Sequence, residues 1–176
     1  MNLPNTLTLV RIALIPVFVV LLLSGYAKAA AAVFIVASLT DALDGYIARK
    51  KNLITNFGKL MDPLADKLLV VSALVCLTEL NEIAGWMLIV ILAREFMITG
   101  LRSVAAGEGI VIAAGVTGKL KTIFQMVAVI ALLLGNWPFA YVGFPFDRVM
   151  LWLAVILTVY SGVEYMIRNR RVFAQN

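Results

Sequence analysis

Four aspartates stand in two closely spaced pairs in the first half of the chain. Asp41 and Asp44 are three residues apart, and Asp62 and Asp66 are four residues apart. In a helix, these spacings place each pair on one face, one turn apart. Four neighbouring carboxylates repel one another unless cations neutralise them. The pattern therefore predicts a metal site.

The residue types available restrict the metal and the chemistry. The chain contains no histidine and a single cysteine, Cys76, which excludes zinc sites, an internal disulfide and a histidine general base. Ligands that are all oxygen favour Mg²⁺ or Mn²⁺, with Ca²⁺ as the alternative. Four acids suit two ions about 3.5–4 Å apart, an arrangement typical of phosphoryl-type displacement. We expect two ions per active site.

Composition places these acids in a membrane protein. The chain has 176 residues, of which 62% are hydrophobic and 14% are charged, whereas soluble domains are about 45–50% apolar and about 25% charged. A membrane-spanning helix takes about 20 apolar residues. Six such segments are predicted, at roughly 9–23, 29–48, 60–79, 84–104, 119–136 and 148–167. We therefore predict an all-α integral membrane protein with six transmembrane helices in a single catalytic domain, residues 1–176.

Two other interpretations of the apolar segments are weaker. Residues 9–23 precede Ala27 and Ala29 in the manner of a cleaved signal peptide, but no positive charge comes before them and Arg11 lies inside the segment. A retained first helix is therefore favoured. A β-barrel would require polar–apolar alternation, which these segments lack.

The distribution of charge predicts the orientation. The net charge is +5, and the cations concentrate after the even-numbered segments, at Lys50, Lys51, Lys119, Arg168, Arg170 and Arg171. By the positive-inside rule both termini are cytoplasmic, which puts all four aspartates in the cytoplasmic leaflet. The excess charge indicates contact with anionic membrane lipid and not with nucleic acid.

The residues around the aspartates form a longer pattern. It reads Asp41-x-x-Asp44-Gly45-x-x-Ala48-Arg49, eight residues, then Gly58-x-x-x-Asp62-x-x-x-Asp66. This pattern resembles the signature of the CDP-alcohol phosphotransferases, with every fixed position and spacing filled. The resemblance implies a homodimeric membrane enzyme with six helices, in which an alcohol acceptor displaces CMP from a CDP-linked lipid.

Further motifs extend the resemblance over most of residues 3–130. They are Asn5-x-Leu7-Thr8-x-x-Arg11, Arg94-Glu95, Gly100-Leu101-Arg102 and Gly118-Lys119-x-Lys121-Thr122. They are similar to family members whose donor is CDP-diacylglycerol and whose acceptor is sn-glycerol 3-phosphate. The segment after Ser161 carries no comparable motif.

The resemblance implies roles for individual residues. Asp41, Asp44 and Asp62 would bind the metal ions, with Asp66 beside them as the general base that takes the proton of the acceptor's 1-hydroxyl. The implied CDP-lipid-binding residues are Gly45, Ala48, Arg49, Gly58, Asn5 and Thr8. For Asn5, Thr8 and Arg11, a helix cap with an interfacial anchor is an equal alternative.

The acceptor brings a phosphate of its own, which needs cations on the same side of the membrane. The candidates are Arg94, Arg102, Lys119 and Lys121, since arginine in particular matches phosphate geometry. The alternatives are a structural ion pair for Arg94, a snorkelling anchor for Arg102, and ordinary positive-inside residues for the two lysines.

The sequence leaves three alternative interpretations of the aspartates and the acceptor site open. A family member could use another acceptor, such as inositol phosphate or serine. The aspartates could instead form buried salt bridges with Arg49, Lys59 and Lys67. A cation transporter would also carry acids in its spans, but near the bilayer midplane and with a path to both sides. The resemblance favours the enzyme, in a bacterial cytoplasmic membrane.

Overall fold

Helices account for nearly all of the described chain. The computed structural model describes the backbone of residues 3–50, 56–107, 109–110, 112–113 and 115–170, and the side chains of residues 6–40, 61–62 and 64–170 with the same gaps after 107. Within these residues the helices are α1 (Leu3–Leu23), α2 (Ala27–Lys50), α3 (Asn56–Glu79), α4 (Gly85–Gly107), α5 (Val116–Leu133) and α6 (Phe146–Arg168), with a 3₁₀ turn at Phe139–Val142. The all-α prediction is confirmed, and each predicted segment corresponds to one helix.

The prediction of six membrane spans is confirmed only in part. Among the described residues, three helices are long and apolar enough to cross a membrane, with apolar segments at Thr6–Leu23, Val116–Leu133 and Phe146–Arg168. A shorter apolar stretch covers Ala27–Thr40 in α2. Helices α3 and α4 are long enough but carry more charge, including Asp62, Asp66, Arg94 and Glu95. The residues predicted to be functional are thus among those that lower the apolar character of these helices.

The chain divides into two compact units. The first consists of Met1–Glu82 together with Leu132–Gly135, and in it α1 packs against both α2 and α3. Phe18 and Phe34 lie in its core with their ring centroids 5.8 Å apart. Buried alanines on α2, at Ala30 and Ala37, allow α1 to approach closely.

The second unit consists of Ile83–Ala131 together with Asn136–Asn176, and in it α4 packs against α6. Trp86 and Trp152 contact each other at one end, with ring centroids 5.6 Å apart. At the other end Ile98, Leu101 and Tyr165 form a buried cluster. Apolar packing at both ends therefore fixes the register of these two helices.

Glycines in the left-handed conformation end two of the helices. Gly25, with φ +86°, follows α1, and its amide donates to the Leu22 carbonyl while the Tyr26 amide donates to Leu21. Gly135, with φ +62°, follows α5 in the same way. A side chain at either position would be strained in this conformation, so glycine permits the sharp stop.

Candidate functional site

Asp62 and Asp66 lie one turn apart on α3, as their spacing predicts. Both side chains are half-buried in the first unit. The Thr8 hydroxyl, on α1, donates a hydrogen bond of 2.5 Å to Asp62 Oδ1. Thr8 is fully buried. The packing of α1 on α3 thus brings together two residues that the sequence analysis placed in one site.

Arg11 lies one turn beyond Thr8 on α1 and is also fully buried. An interfacial anchor keeps its charged end in the headgroup region, so complete burial argues against that alternative for Thr8 and Arg11. A buried guanidinium in a membrane helix is costly and marks a functional position by default. The Asn5 side chain lies outside the described residues.

The other half of the predicted acidic site is described only in its backbone. The helix α2 includes the positions of Asp41 and Asp44, but their side chains lie outside the described residues. The same holds for the predicted CDP-lipid-binding residues Gly45, Ala48, Arg49 and Gly58. Among the described side chains, no group of three or more acidic, histidine or cysteine residues forms a metal site.

The described half of the site fits a hard divalent cation. Asp62 and Asp66 offer carboxylate oxygens from one helix face, and Thr8 adds a hydroxyl that orients Asp62. Oxygen ligands held by outer hydrogen bonds are typical of magnesium and manganese sites. Metal ligation by Asp41, Asp44, Asp62 and Asp66 remains a prediction.

In the second unit, the Glu95 carboxylate joins two of the predicted acceptor-site cations. Its Oε1 accepts from Arg94 Nη1 at 3.2 Å and from Lys121 Nζ. Lys121 Nζ also donates to Gln125 Oε1 at 3.2 Å. Lys121 is only 4% exposed, so it is not an ordinary surface lysine of the positive-inside kind. The ion pair with Glu95, which was the structural alternative for Arg94, is present, and acceptor binding by Arg94 stays a prediction.

Two glycines from different helices border the Arg94 side chain. A Cβ added at Gly162, on α6, would lie 3.1 Å from Arg94 Cγ, and one added at Gly118, on α5, would lie 3.4 Å from Nη2. The Arg94 side chain thus lies in space that a side chain larger than glycine at position 118 or 162 would enter. Arg94 Nε is buried, and no residue that the structure describes accepts its hydrogen. That atom is a donor suited to an anion.

Arg94, Glu95, Lys121 and Gln125 form what we call the Glu95 cluster. Arg102 and Lys119 are not members of it, and both are exposed. Arg102 Nε donates to the Tyr165 hydroxyl at 3.1 Å, and Nη2 lies 3.4 Å from the Ile112 carbonyl oxygen. The Arg102 guanidinium carbon is also 5.9 Å from the centre of the Tyr165 ring. Arg102 is therefore held by protein contacts and does not only snorkel towards the membrane surface.

The sequence pattern did not predict that residues of α6 contact Arg94, Arg102 and Thr117. Glu164 accepts a hydrogen bond of 2.6 Å from the Thr117 hydroxyl, at the start of α5. Gly162 borders Arg94, and Tyr165 contacts Arg102. One signal was available, because Glu164 is an acid inside an apolar span, and such residues are functional by default. Tyr165 and Gly162 carried no comparable signal.

A family comparison covers almost all of these positions. The CDP-alcohol phosphatidyltransferase profile matches residues 1–160, which include all four aspartates and all four candidate acceptor-site cations. The chain belongs to this family. The family's match ends before Gly162, Glu164 and Tyr165.

Bacterial relatives of this CDP-alcohol phosphatidyltransferase match it over nearly the full chain. A CDP-diacylglycerol–glycerol-3-phosphate 3-phosphatidyltransferase of Bacillus subtilis (strain 168) is 52% identical, over 96% of this chain and 95% of the relative. A protein of the same name from Rickettsia typhi is 40% identical, over 93% and 94%. A probable phosphatidylglycerophosphate synthase of Mycobacterium tuberculosis is 39% identical, over 97% and 82%.

Proposed function

We propose that the chain is a membrane enzyme that transfers the phosphatidyl group of CDP-diacylglycerol to the 1-hydroxyl of sn-glycerol 3-phosphate. The products are phosphatidylglycerophosphate and CMP. The observation that carries the proposal is the 52% identity, over 96% of the chain, to the Bacillus subtilis protein that bears this activity in its name. The reaction needs carboxylates and phosphate-binding cations, and the sequence contains candidates of both kinds.

In this reaction one phosphorus–oxygen bond forms and another breaks. Asp66 accepts the proton of the acceptor's 1-hydroxyl, and the freed oxygen attacks the phosphorus that bears diacylglycerol. CMP leaves with the electron pair of the broken bond. A carboxylate is the expected base for this proton, because the chain contains no histidine. The Thr8 hydroxyl holds Asp62 in one orientation, which fixes the carboxylate beside Asp66.

Mg²⁺ or Mn²⁺ is the proposed cofactor, as two ions bound by Asp41, Asp44, Asp62 and Asp66. When bound, such ions supply positive charge that offsets the charge developing on the leaving phosphate. The oxygen-only ligands and the Thr8 contact support this assignment. Gly45, Ala48, Arg49 and Gly58, with Asn5 and Thr8, are proposed to contact the CDP-lipid.

The acceptor's phosphate is proposed to bind to Arg94, Arg102, Lys119 and Lys121. The buried Nε of Arg94 supports this role because a phosphate oxygen would satisfy it. Arg102 and Lys119 are exposed and present further positive charge. Glu95 holds Arg94 and Lys121 in place and keeps these two cations from repelling each other.

The proposed location is the bacterial cytoplasmic membrane, which the chain crosses six times as a homodimer, with both termini and the active site on the cytoplasmic side. The three apolar helices and the bacterial relatives support a membrane location. The concentration of lysine and arginine after even-numbered helices supports the orientation.

The test is CMP release by the purified protein in detergent, with CDP-diacylglycerol and Mg²⁺ or Mn²⁺. Glycerol 3-phosphate, inositol phosphate and serine are offered separately, with EDTA as the control. We expect metal-dependent release with glycerol 3-phosphate alone. Release only with another acceptor would keep the family and refute the acceptor assignment. No release with any acceptor would refute the enzymatic proposal and return a cation transporter to consideration.

A further inference from the structure

The last turns of α6 make three contacts with α4 and α5, the helices that carry the proposed acceptor-site residues. Gly162 borders Arg94 on α4, Glu164 accepts from Thr117 at the start of α5, and Tyr165 accepts from Arg102 near the end of α4. These α6 positions lie within one turn of one another. One short stretch of helix therefore contacts both segments that carry the candidate cations.

Tyr165 makes the most extensive of these contacts. Its hydroxyl accepts from Arg102 Nε at 3.1 Å, and its ring lies 5.9 Å from the guanidinium carbon. Both contacts come from one side chain, so they fix the position and the tilt of the guanidinium together. Tyr165 itself is 8% exposed and packs with Ile98 and Leu101. The group that holds Arg102 is therefore anchored in the core of the second unit.

The contacts leave part of Arg102 available to a ligand. A guanidinium has five N–H donors, and in the described structure Nε points to Tyr165 while Nη2 faces the Ile112 carbonyl at 3.4 Å. Arg102 is exposed, and these two contacts use only part of its donor set. A guanidinium held by one edge presents its other edge in a fixed direction, which suits a phosphate oxygen.

We propose that Tyr165 is a positioning residue for Arg102, and that through this contact α6 sets the enzyme's affinity for its phosphorylated acceptor. The inference rests on the proposed function, in which Arg102 binds the phosphate of glycerol 3-phosphate. Tyr165 acts through Arg102 and does not touch the substrate. Loss of its hydroxyl therefore affects acceptor binding and leaves the donor's binding unchanged.

The experiment compares Tyr165→Phe, Arg102→Ala and the double variant in CMP-release kinetics, varying glycerol 3-phosphate and CDP-diacylglycerol separately. Tyr165→Phe keeps the ring and its packing, and removes only the hydroxyl acceptor. We expect the KM for glycerol 3-phosphate to rise about fivefold, within the range for the loss of one typical hydrogen bond. The KM for CDP-diacylglycerol and the thermal midpoint should stay unchanged.

Tyr160→Phe is the matched control, because Tyr160 lies on the same helix and is 59% exposed. We expect no kinetic change in that variant. In the double variant, Tyr165→Phe should add nothing to the effect of Arg102→Ala, since Tyr165 acts only through Arg102. Independent, additive effects of the two substitutions would overturn the positioning role.

The outcomes separate this inference from the function on which it rests. If Arg102→Ala raises the acceptor KM while Tyr165→Phe leaves it unchanged, the positioning role is refuted and the acceptor site stands. If Arg102→Ala leaves the acceptor KM unchanged, the assignment of Arg102 to the acceptor fails, and the role of Tyr165 fails with it. Equal rises in the two substrates' KM values would indicate general structural damage and overturn the inference.

Discussion

The Thr8 hydroxyl on α1 donates a 2.5 Å hydrogen bond to the Asp62 carboxylate on α3. The two residues are 54 positions apart in sequence, and Thr8 is fully buried. A carboxylate that accepts a hydrogen bond from a buried hydroxyl is held in one orientation. The first helix therefore takes part in positioning the acidic residues as well as in packing.

Replacing Thr8 with valine should reduce turnover by about tenfold, because Asp62 loses the donor that orients it while the volume at position 8 is kept. The measurement is the rate of CMP release at saturating substrates. Thr78→Val is the control, since the Thr78 hydroxyl donates to the Leu74 carbonyl in its own helix. Equal rates in the two variants would contradict an orienting role for Thr8.

Replacing Asp66 with asparagine should abolish turnover, because the amide cannot accept the proton of the acceptor's hydroxyl at the pH of the reaction. The variant should fold normally and still bind CDP-diacylglycerol, as measured by protection against thermal unfolding. Substantial residual turnover would show that another group is the base.

Removing divalent ions with EDTA should abolish CMP release, and added Mg²⁺ or Mn²⁺ should restore it, because the proposed ligands are all carboxylates. Zn²⁺ should restore much less, since the site has neither histidine nor cysteine. Binding of Mn²⁺, followed by electron paramagnetic resonance, should weaken in the Asp62→Asn variant. Full activity in EDTA would refute metal dependence.

Replacing Lys121 with methionine should destabilise the protein by about 1.5–3 kcal/mol, because Glu95 loses one hydrogen bond between charged groups and keeps the one from Arg94. Arg148→Met is the comparison. Arg148 Nε lies 3.8 Å from Asp147 Oδ2, and the Arg148 side chain is 48% exposed. Loss of this ion pair should therefore cost only about 0–1 kcal/mol of stability. The measurement is unfolding in a mild detergent. Similar costs for both substitutions would refute a structural role for the Glu95 cluster.

Replacing Gly162 with alanine should raise the KM for glycerol 3-phosphate about threefold, because the new Cβ would lie 3.1 Å from Arg94 Cγ and push that side chain aside. Gly85→Ala is the matched control, since nothing lies within 4 Å of a Cβ added there. The two variants are compared in the same kinetic assay. An unchanged KM in Gly162→Ala would remove Arg94 from the acceptor site or show that its side chain adapts freely.

The helices were predictable from hydropathy, but their ends were not. The first segment was predicted to begin at residue 9, yet α1 begins at Leu3, because backbone hydrogen bonding continues through polar residues that hydropathy excludes. The fifth was predicted to run over 119–136, whereas α5 covers Val116–Leu133. Its end is set by Gly135 in the left-handed conformation, which apolar character alone does not reveal.

The contacts of the candidate site divide into those within one helix, which the sequence predicts, and those between helices, which it does not. The placement of Asp62 and Asp66 on one helix face follows from their spacing of four residues. The contacts of Lys121 with Glu95 and of Thr117 with Glu164 join residues 26 and 47 positions apart. Such contacts depend on how helices pack, which no spacing within one helix encodes. The contacts that α6 makes with α4 and α5 could not be predicted from the sequence for this reason.

Glu95 accepts from both Arg94 and Lys121, so these three ionised groups together carry one surplus positive charge. In the proposed reaction, the acceptor's phosphate remains on the lipid product, which must leave before the next cycle. Without Glu95, the two cations Arg94 and Lys121 would be unopposed, would retain the phosphate dianion strongly and would slow its departure. Because Glu95 offsets one of the two positive charges, the cluster would hold the phosphate less tightly. In the proposed reaction, the same three side chains would then bind the acceptor firmly enough for reaction and still release the lipid product.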